Sequence, residues 1–402
     1  MSDTRLLIIS GKGGVGKTTI AAATAVAAAN RGYRTLVVSL DRAHNLGDVF
    51  QYRPGSVPTK VPGLAYLNAM EIDPQSELNS SRPVLKTYFR RIFTYLGMGG
   101  VEAEEMSVFP GLEELLVLTR LSELVDNNKY DLIVADMAPT ASSLRYLSFP
   151  DMMEGVLGKL VRWDQRIATL MRPLQGRYLK IPIPEDEVYN SFRELARSLG
   201  DLRKLLADPA RTVVRLVMTP ENIVLEETRR AFTYLSMFGL TVDSVIINRL
   251  LPEEVTQGYL HAWGEIQERV VALTREGFAG LPIQTLYFRP TEVLGIPQLL
   301  QTAAELYNET DPMNFQHTES PYSYQKDGDT TILSLHLPNI VGDSLDLRRR
   351  DQDLILTLDG WRRVILLPDF LAGHSVAKAR LSEGYLRISF IPNSENLPGI
   401  TK

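Results

Sequence analysis

The sequence predicts an α/β fold, a mostly parallel sheet wrapped by helices, followed by a small all-β sandwich. Between about residues 5 and 307, short apolar runs alternate with helical patterns. Several of these runs are apolar on both faces, which is typical of strands buried inside a parallel sheet. From about residue 323 the pattern changes to strict alternation of apolar and polar residues, which is typical of antiparallel strands with one buried face.

Six apolar runs supply the strands of the predicted core, residues 1–307. They are RLLIIS (5–10), RTLVVSL (34–40), YDLIVADM (130–137), TVVRLVMT (212–219), VDSVIINRL (242–250) and LPIQTLYF (281–288). Apolar residues at helical spacing also occupy 84–96, 153–171 and 188–202. These helices are more numerous than the connections between strands require. We therefore expect a helical subdomain inserted into the core, in segments of about 76–128 and 151–208.

The sequence of the C-terminal region predicts a separate β-domain at 323–393, which follows a polar linker at 308–322 and precedes a tail at 394–402. Its alternating apolar residues are Leu333, Leu335 and Leu337, then Leu354, Leu356 and Leu358, then Leu386, Ile388 and Phe390. Asp359-Gly360 is a hairpin-turn signal between two such runs.

Composition excludes several classes of function. The net charge of −5 gives no overall positive field for a nucleic acid, so we expect none as a partner. The chain has 0 cysteines, which excludes thiolate zinc sites, iron–sulfur clusters and metalloid chemistry through sulfur. We see no signal peptide, transit peptide or membrane-spanning run, and therefore expect a cytoplasmic protein without a transmembrane segment.

The stretch SGKGGVGKTT (10–19) contains a phosphate-binding loop. It fits G-x-x-x-x-G-K-[ST] and lies between the strand RLLIIS and an alanine-rich helix, as the mechanism of such a loop requires. In this interpretation Lys17 reaches the β- and γ-phosphates of ATP, and the Thr18 hydroxyl binds Mg²⁺. The predicted nucleotide-binding residues of the loop are Gly11, Lys12, Gly13, Gly14, Val15, Gly16, Lys17, Thr18 and Thr19.

Lys12 is a second lysine in a loop that ordinarily needs one. Since Lys17 already occupies the approach to its own γ-phosphate, we interpret Lys12 as a cation delivered to the nucleotide of a second protomer, in the role of an arginine finger. This hypothesis predicts a homodimer in which ATP joins the two subunits. The alternative is an ordinary solvated lysine.

Four stretches together resemble one family. They are GKGGVGKTT (11–19), LDRAHNLGDVF (40–50), VADMAPTASSLRYLSFP (134–150) and NRLLP (248–252). They are similar to the deviant Walker A loop, the two switches and the adenine-contacting segment of the arsenical-pump and guided-entry-of-tail-anchored-proteins ATPases. The resemblance implies a P-loop NTPase core in which Asp41 positions the attacking water, Asp136 acts near Mg²⁺ and Asn248 hydrogen-bonds adenine.

Some of these assignments leave alternatives open. On the sequence alone, Asp41 also fits a helix N-cap or a turn residue. Arg42 replaces the family's usual proline, and Ala141-Ser142 replace its usual Gly-His pair, so the hydrolysis rate is not predicted.

The C-terminal β-domain resembles the α-crystallin fold of small heat-shock proteins. The similarity includes the run EGYLRISF (383–390), whereas no I-x-I tail is present. A cysteine-free ATPase core joined to such a domain resembles the cyanobacterial and plastid clade of the tail-anchored-targeting ATPases. The absence of a transit peptide favours the bacterial form.

The resemblance implies a homodimeric, Mg²⁺-dependent ATPase that opens and closes an apolar groove for client proteins such as tail-anchored or other membrane-protein helices, with a membrane receptor as a further partner. Flexible methionines suit such a groove, although core packing explains them equally well. The candidate groove residues are Met98, Met106, Met152, Met153 and Met171. The alternatives are the energising subunit of an anion or arsenical efflux pump and an ATP-bound, holdase-like chaperone.

Overall fold

The computed structural model of the protein describes residues 3–40, 46–73, 84, 87–88, 112–137, 185–308, 310–340, 345–350 and 352–393. The predicted helix at 153–171 and the tail at 394–402 lie outside these residues, as does nearly all of the predicted helix at 84–96. Among the residues described, no helix is both long and apolar enough to cross a bilayer.

The core is an eight-stranded sheet with the order β3-β4-β2-β5-β1-β6-β7-β8. All neighbouring strands are parallel except β3, which runs antiparallel to β4 at one edge. The strands are β1 (Arg5–Ser10), β2 (Thr35–Ser39), β3 (Thr59–Lys60), β4 (Leu67–Glu71), β5 (Leu132–Asp136), β6 (Thr212–Met218), β7 (Val242–Leu250) and β8 (Ile283–Tyr287). The mostly parallel core sheet is therefore confirmed, and each of the six predicted strands is present.

Helices accompany the strands in the alternating order that the sequence predicts. They are α1 (Lys17–Asn30), α2 (Leu46–Phe50), α3 (Leu112–Asp126), α4 (Asp186–Ala207), α5 (Asn222–Met237), α6 (Glu253–Thr256), α7 (His261–Gly277) and α8 (Gly295–Tyr307). The helical pattern predicted at 188–202 is confirmed by α4, whose Leu195, Leu199 and Leu202 are all buried.

Burial on both faces explains the apolar runs. Every residue of β2, β5 and β6 is buried. Helix α1 is also mostly buried, between the sheet and α8, and its small side chains allow this close packing. Its buried alanines are Ala21, Ala22, Ala23, Ala25, Ala27, Ala28 and Ala29. The Thr24 hydroxyl on α1 lies 2.7 Å from the Tyr307 hydroxyl at the end of α8, which ties the two helices together.

The C-terminal region forms two antiparallel sheets, with the orders β14-β15-β10-β9 and β11-β12-β13. The strands are β9 (Tyr322–Asp327), β10 (Thr330–His336), β11 (Leu345–Arg350), β12 (Asp353–Leu358), β13 (Trp361–Leu366), β14 (His374–Ser382) and β15 (Tyr385–Pro392). The predicted hairpin turn is confirmed, because Asp359 and Gly360 have φ values of 48° and 80°, the left-handed pair that a tight β12–β13 turn requires.

The amino ends of the core strands form what we call the amino edge of the sheet. Arg215, in the middle of β6, reaches Asp243 near the start of β7, and the two form an ion pair of 2.7 Å with side chains that are 1% and 0% exposed. Asp243 also accepts hydrogen bonds from the backbone N–H groups of Gln316 and His317. The carbonyl of Met313 accepts a hydrogen bond from Arg5. The predicted linker is therefore held against the core by side chains at this edge.

The β-domain packs on helix α5. Aromatic rings carry the contact: the ring of Phe232 on α5 lies edge-on to His336 of β10 at 5.7 Å, and Tyr234 lies 4.8 Å from Trp361 of β13. The Thr233 hydroxyl donates to the carbonyl of Pro338. Both ring contacts and hydrogen bonds thus join the β-domain to one face of a core helix.

Candidate functional site

The phosphate-binding loop follows β1, the strand at which the direction of winding in the sheet reverses. β1 lies between β5 and β6, and the chain that leaves it passes over β5 to form β2. In open parallel sheets, ligands bind at the carboxyl ends of the strands where this reversal occurs. We call this side, which also carries the ends of β5 and β7, the carboxyl edge of the sheet.

Two glycines of the loop lie where a side chain has no room. A Cβ on Gly11 would stand 2.0 Å from the carbonyl oxygen of Val217 on β6, and one on Gly16 would stand 2.4 Å from the Asn248 side-chain nitrogen. Gly16 also has a φ of 98°, in the left-handed region that L side chains rarely adopt. The loop backbone is therefore packed directly against β6 and β7.

Lys17 and Thr18 begin helix α1, and the fold brings Thr18 to the end of β5. The Thr18 hydroxyl donates a 2.6 Å hydrogen bond to Asp136, whose side chain is 1% exposed. The Lys17 ammonium group donates a 3.2 Å hydrogen bond to the backbone carbonyl of Lys12, so it folds back over the loop rather than into solvent. Three residues that the sequence predicts for phosphate and metal binding thus lie at one point of the carboxyl edge.

Thr18 and Asp136 offer a hydroxyl and a carboxylate oxygen, the hard donors that Mg²⁺ prefers. Their direct contact places both donors beside the glycine loop, so the residues present fit a Mg²⁺ ion. Such an ion would neutralise phosphate charge, and Thr18 and Asp136 are the residues that would hold it.

The side chain of Lys12 leaves the loop in a different direction from that of Lys17. Its ammonium group lies 3.3 Å from a carboxylate oxygen of Glu227 on α5, and the two side chains are 35% and 47% exposed. Glu227 was not predicted from the sequence, since nothing in the surrounding run NIVLEETRRA distinguishes it from the other charged residues on the helix.

Asn248 also reaches the loop. Its side-chain N–H donates a 2.8 Å hydrogen bond to the carbonyl of Val15, and its side-chain oxygen accepts one from the backbone of Arg249. Arg249 has a φ of 61°, an uncommon value for a residue other than glycine, which turns the end of β7 beside the loop.

A cavity of about 530 Å³ opens between Gly16, Thr19 and the segment after β8. The side chains of Tyr287 and Phe288 at its wall are 59% and 52% exposed. Its other lining residues include Ile20, Val49, Asn248, Pro290 and Val293. This aromatic wall was not predicted from the sequence, although aromatic residues at the carboxyl end of a predicted parallel strand are a signal that could have identified it.

Asp41, the predicted catalytic carboxylate, lies outside the described residues, as do all five candidate groove methionines. Of the predicted set, the structure therefore brings together the loop, Asp136 and Asn248.

Comparison with known proteins agrees with this geometry. Residues 4–308 match the family model of the anion-transporting ATPases, and residues 328–390 match that of an HSP20-like domain found in this family. A putative arsenical pump-driving ATPase of Chlorobaculum tepidum is 36% identical over 96% of both chains. A putative arsenical pump-driving ATPase of Aquifex aeolicus is 30% identical over 96% of this chain and 99% of its own.

A third relative matches a smaller share of the chain. The ATPase GET3A of Arabidopsis thaliana is 31% identical over 73% of this chain and 81% of its own length. The match over most of the chain to the ATPase model, with the HSP20-like match that follows it, shows that the chain belongs to the anion-transporting ATPase family and carries that family's HSP20-like domain.

Proposed function

We propose that the protein is a homodimeric, Mg²⁺-dependent ATP hydrolase that uses nucleotide to open and close an apolar groove for hydrophobic client helices. The observation that carries the ATP-dependent part is the contact of 2.6 Å between Thr18 and Asp136 beside the glycine loop. The client-handling part rests on the resemblance to the tail-anchored-targeting ATPases and on similarity to a relative named ATPase GET3A.

Each part of the carboxyl edge has a task in this proposal. The loop amides and Lys17 bind and orient the triphosphate, and the cavity walled by Tyr287 and Phe288 accepts the nucleoside. Asp41 orients the attacking water, and Asn248 binds the base. Lys12 neutralises charge that develops on the partner's nucleotide in the transition state.

The dimer is tested by sedimentation of wild-type protein and of Lys12→Ala, with and without a non-hydrolysable ATP analogue. We expect the wild type to dimerise with nucleotide and Lys12→Ala to stay monomeric. Lys204→Ala is the matched control, because its ammonium group pairs with Asp201 on its own helix and its side chain is 82% exposed. Equal dimerisation of all three proteins would contradict the shared site.

A second candidate function is the energising subunit of an anion pump, which the names of the Chlorobaculum tepidum and Aquifex aeolicus relatives favour. With 0 cysteines in the chain, its anion site would need ligands other than thiolates. The two functions are separated by measuring whether apolar helical peptides or oxyanions accelerate ATP hydrolysis. Acceleration by oxyanions alone would replace the client-handling proposal with the pump.

The role of Asp41 is tested in the same assay. We expect Asp41→Asn to abolish hydrolysis and to retain nucleotide-dependent peptide capture. A variant that hydrolyses ATP at the wild-type rate would exclude Asp41 as the residue that orients water.

A further inference from the structure

Lys12 has a same-chain partner that the shared-site mechanism does not use. Its ammonium group lies 3.3 Å from Glu227. An ammonium group has three N–H donors, but phosphates of another subunit that approach it beside Glu227 would be repelled by this carboxylate. The two arrangements therefore compete for one cation.

Glu227 is held in place by the helix that carries it. Its neighbours Leu225 and Thr228 on α5 are 1% and 2% exposed, so this part of the helix is fixed against the core. Further along the same helix, Thr233 and Tyr234 contact the β-domain. Because α5 is anchored at both of these places, the position of the Glu227 backbone is determined by the fold rather than by Lys12.

The solvent exposure of Lys12 and Glu227 limits the strength of their ion pair. The two side chains are 35% and 47% exposed, and ion pairs in such surroundings contribute little and are screened by salt. A triphosphate carries several negative charges and would attract the ammonium group more strongly than one carboxylate does. The contact is thus strong enough to bias the position of Lys12 and weak enough to be displaced.

We propose that Glu227 is a positioning residue that keeps Lys12 on its own subunit until the nucleotide of a second subunit competes for it. It raises the nucleotide concentration needed for dimerisation and so disfavours dimers that lack ATP. This inference rests on the proposed dimeric function, since it assigns a regulator to the cation of that shared site.

The test is nucleotide-dependent sedimentation of Glu227→Gln. We expect half-maximal dimerisation at about two- to five-fold lower concentration of the non-hydrolysable analogue, the range that an exposed ion pair supports. The difference should shrink as salt rises. Glu226→Gln is the matched control, because Glu226 is the adjacent residue and pairs with Arg229 instead of Lys12; it should behave as the wild type.

Combining Glu227→Gln with Lys12→Ala distinguishes the positioning role of Glu227 from the shared nucleotide site. If Glu227 acts through Lys12, Lys12→Ala/Glu227→Gln should match Lys12→Ala alone. Unchanged or weakened dimerisation of Glu227→Gln, or an equal gain in the Lys12→Ala background, would overturn the positioning role. Wild-type dimerisation by Lys12→Ala itself would instead overturn the shared site. If Glu227→Gln lowers the thermal midpoint, Glu227→Asp is used in its place, because it shortens the side chain and keeps its charge. We expect the same decrease in the analogue concentration needed for half-maximal dimerisation.

Discussion

The two edges of the core sheet use polar residues in opposite ways. At the amino edge, Arg215 and Asp243 are 1% and 0% exposed, and they bind each other and the connecting segment. At the carboxyl edge, Lys12 is 35% exposed and Lys17 hydrogen-bonds a loop carbonyl. The amino edge pairs a buried cation with a buried carboxylate, whereas at the carboxyl edge Lys17 is 6% exposed and bound to a carbonyl of the glycine loop, and Lys12 is partly exposed beside it.

This difference separates stability from function within one sheet. A buried charge that loses its partner destabilises the fold, because it cannot recover its hydration. A partly exposed charge such as Lys12 loses little when its neighbour changes, and it stays available to a ligand. Substitutions at the amino edge should therefore alter unfolding, and those at the carboxyl edge should alter catalysis.

The largest effect is expected for Asp243→Ala, which leaves the Arg215 guanidinium buried without its carboxylate. We expect the free energy of unfolding to fall by about 3–5 kcal/mol, measured by urea denaturation. Asp131→Ala is the control, because its ion pair with Arg34 has side chains that are 21% and 48% exposed, and should cost at most about 1 kcal/mol. Equal losses would show that burial does not distinguish the two pairs.

Lys17→Ala should have the converse effect at the carboxyl edge. We expect ATP hydrolysis to fall by about 10²–10³-fold, the effect of removing one preorganised donor, with unfolding changed by no more than about 1 kcal/mol. Steady-state phosphate release and urea denaturation measure the two quantities. Lys60→Ala, at an exposed lysine of β3, should change neither. A large loss of stability without a loss of hydrolysis would break the contrast between the edges.

Gly11→Ala should affect both properties, because Gly11 joins the open loop to the buried sheet. Its new Cβ would meet the Val217 carbonyl at 2.0 Å, and a backbone atom has little freedom to move away. We expect a loss of about 1–3 kcal/mol in stability together with weaker nucleotide binding. Gly13→Ala is the control for stability, since no atom of the described part of the chain lies within 4 Å of its Cβ position. Similar denaturation curves for the two variants would contradict the close packing of the loop.

The smallest effect concerns pH at the junction with the β-domain. Burial lowers the pKa of His336 below its usual 6.5; nearby His317 lowers it further, while Glu319 opposes the change. Because the unfolded chain binds this proton more readily, the contribution of His336 to stability is present above pH 6.5 and is lost as pH falls through the folded pKa.

The pH effect can be measured as the thermal midpoint between pH 7.5 and 5. We expect His336→Gln to reduce the acid-side fall by about 2–4 °C at most. His261→Gln, at an imidazole of α7 that is 72% exposed, should leave the profile unchanged. An identical profile for wild type and His336→Gln would exclude His336 as a contributor.

The core strands and the phosphate loop were predictable because their signals are local. The run VDSVIINRL (242–250) became β7 with the predicted bounds, and Asp359-Gly360 formed the predicted turn. The sequence also supplied Thr18 and Asp136 as candidates, because a loop motif and a strand end are each visible in a short stretch. Their contact of 2.6 Å across the sheet was not visible in either stretch.

Other residues were not predictable because their roles depend on distant partners. Glu227 is one of several charged residues on α5, and only the fold places it beside Lys12. Likewise, Asp243 lies in the run VDSVIINRL, where the sequence predicts a strand and gives no sign of the ion pair with Arg215. The polar segment at 308–322 predicted a linker, yet its backbone is fixed by side chains from three different strands and loops.

The sequence by itself determined the alternation of strands and helices, the glycine loop and the all-β C-terminal domain, because periodicity and turn chemistry act over neighbouring residues. The tertiary structure decided which charges are buried as pairs and which stand at an open edge, and it placed the β-domain against α5. Such pairings join residues far apart in the chain, and their energies depend on burial, which a sequence of side chains does not specify.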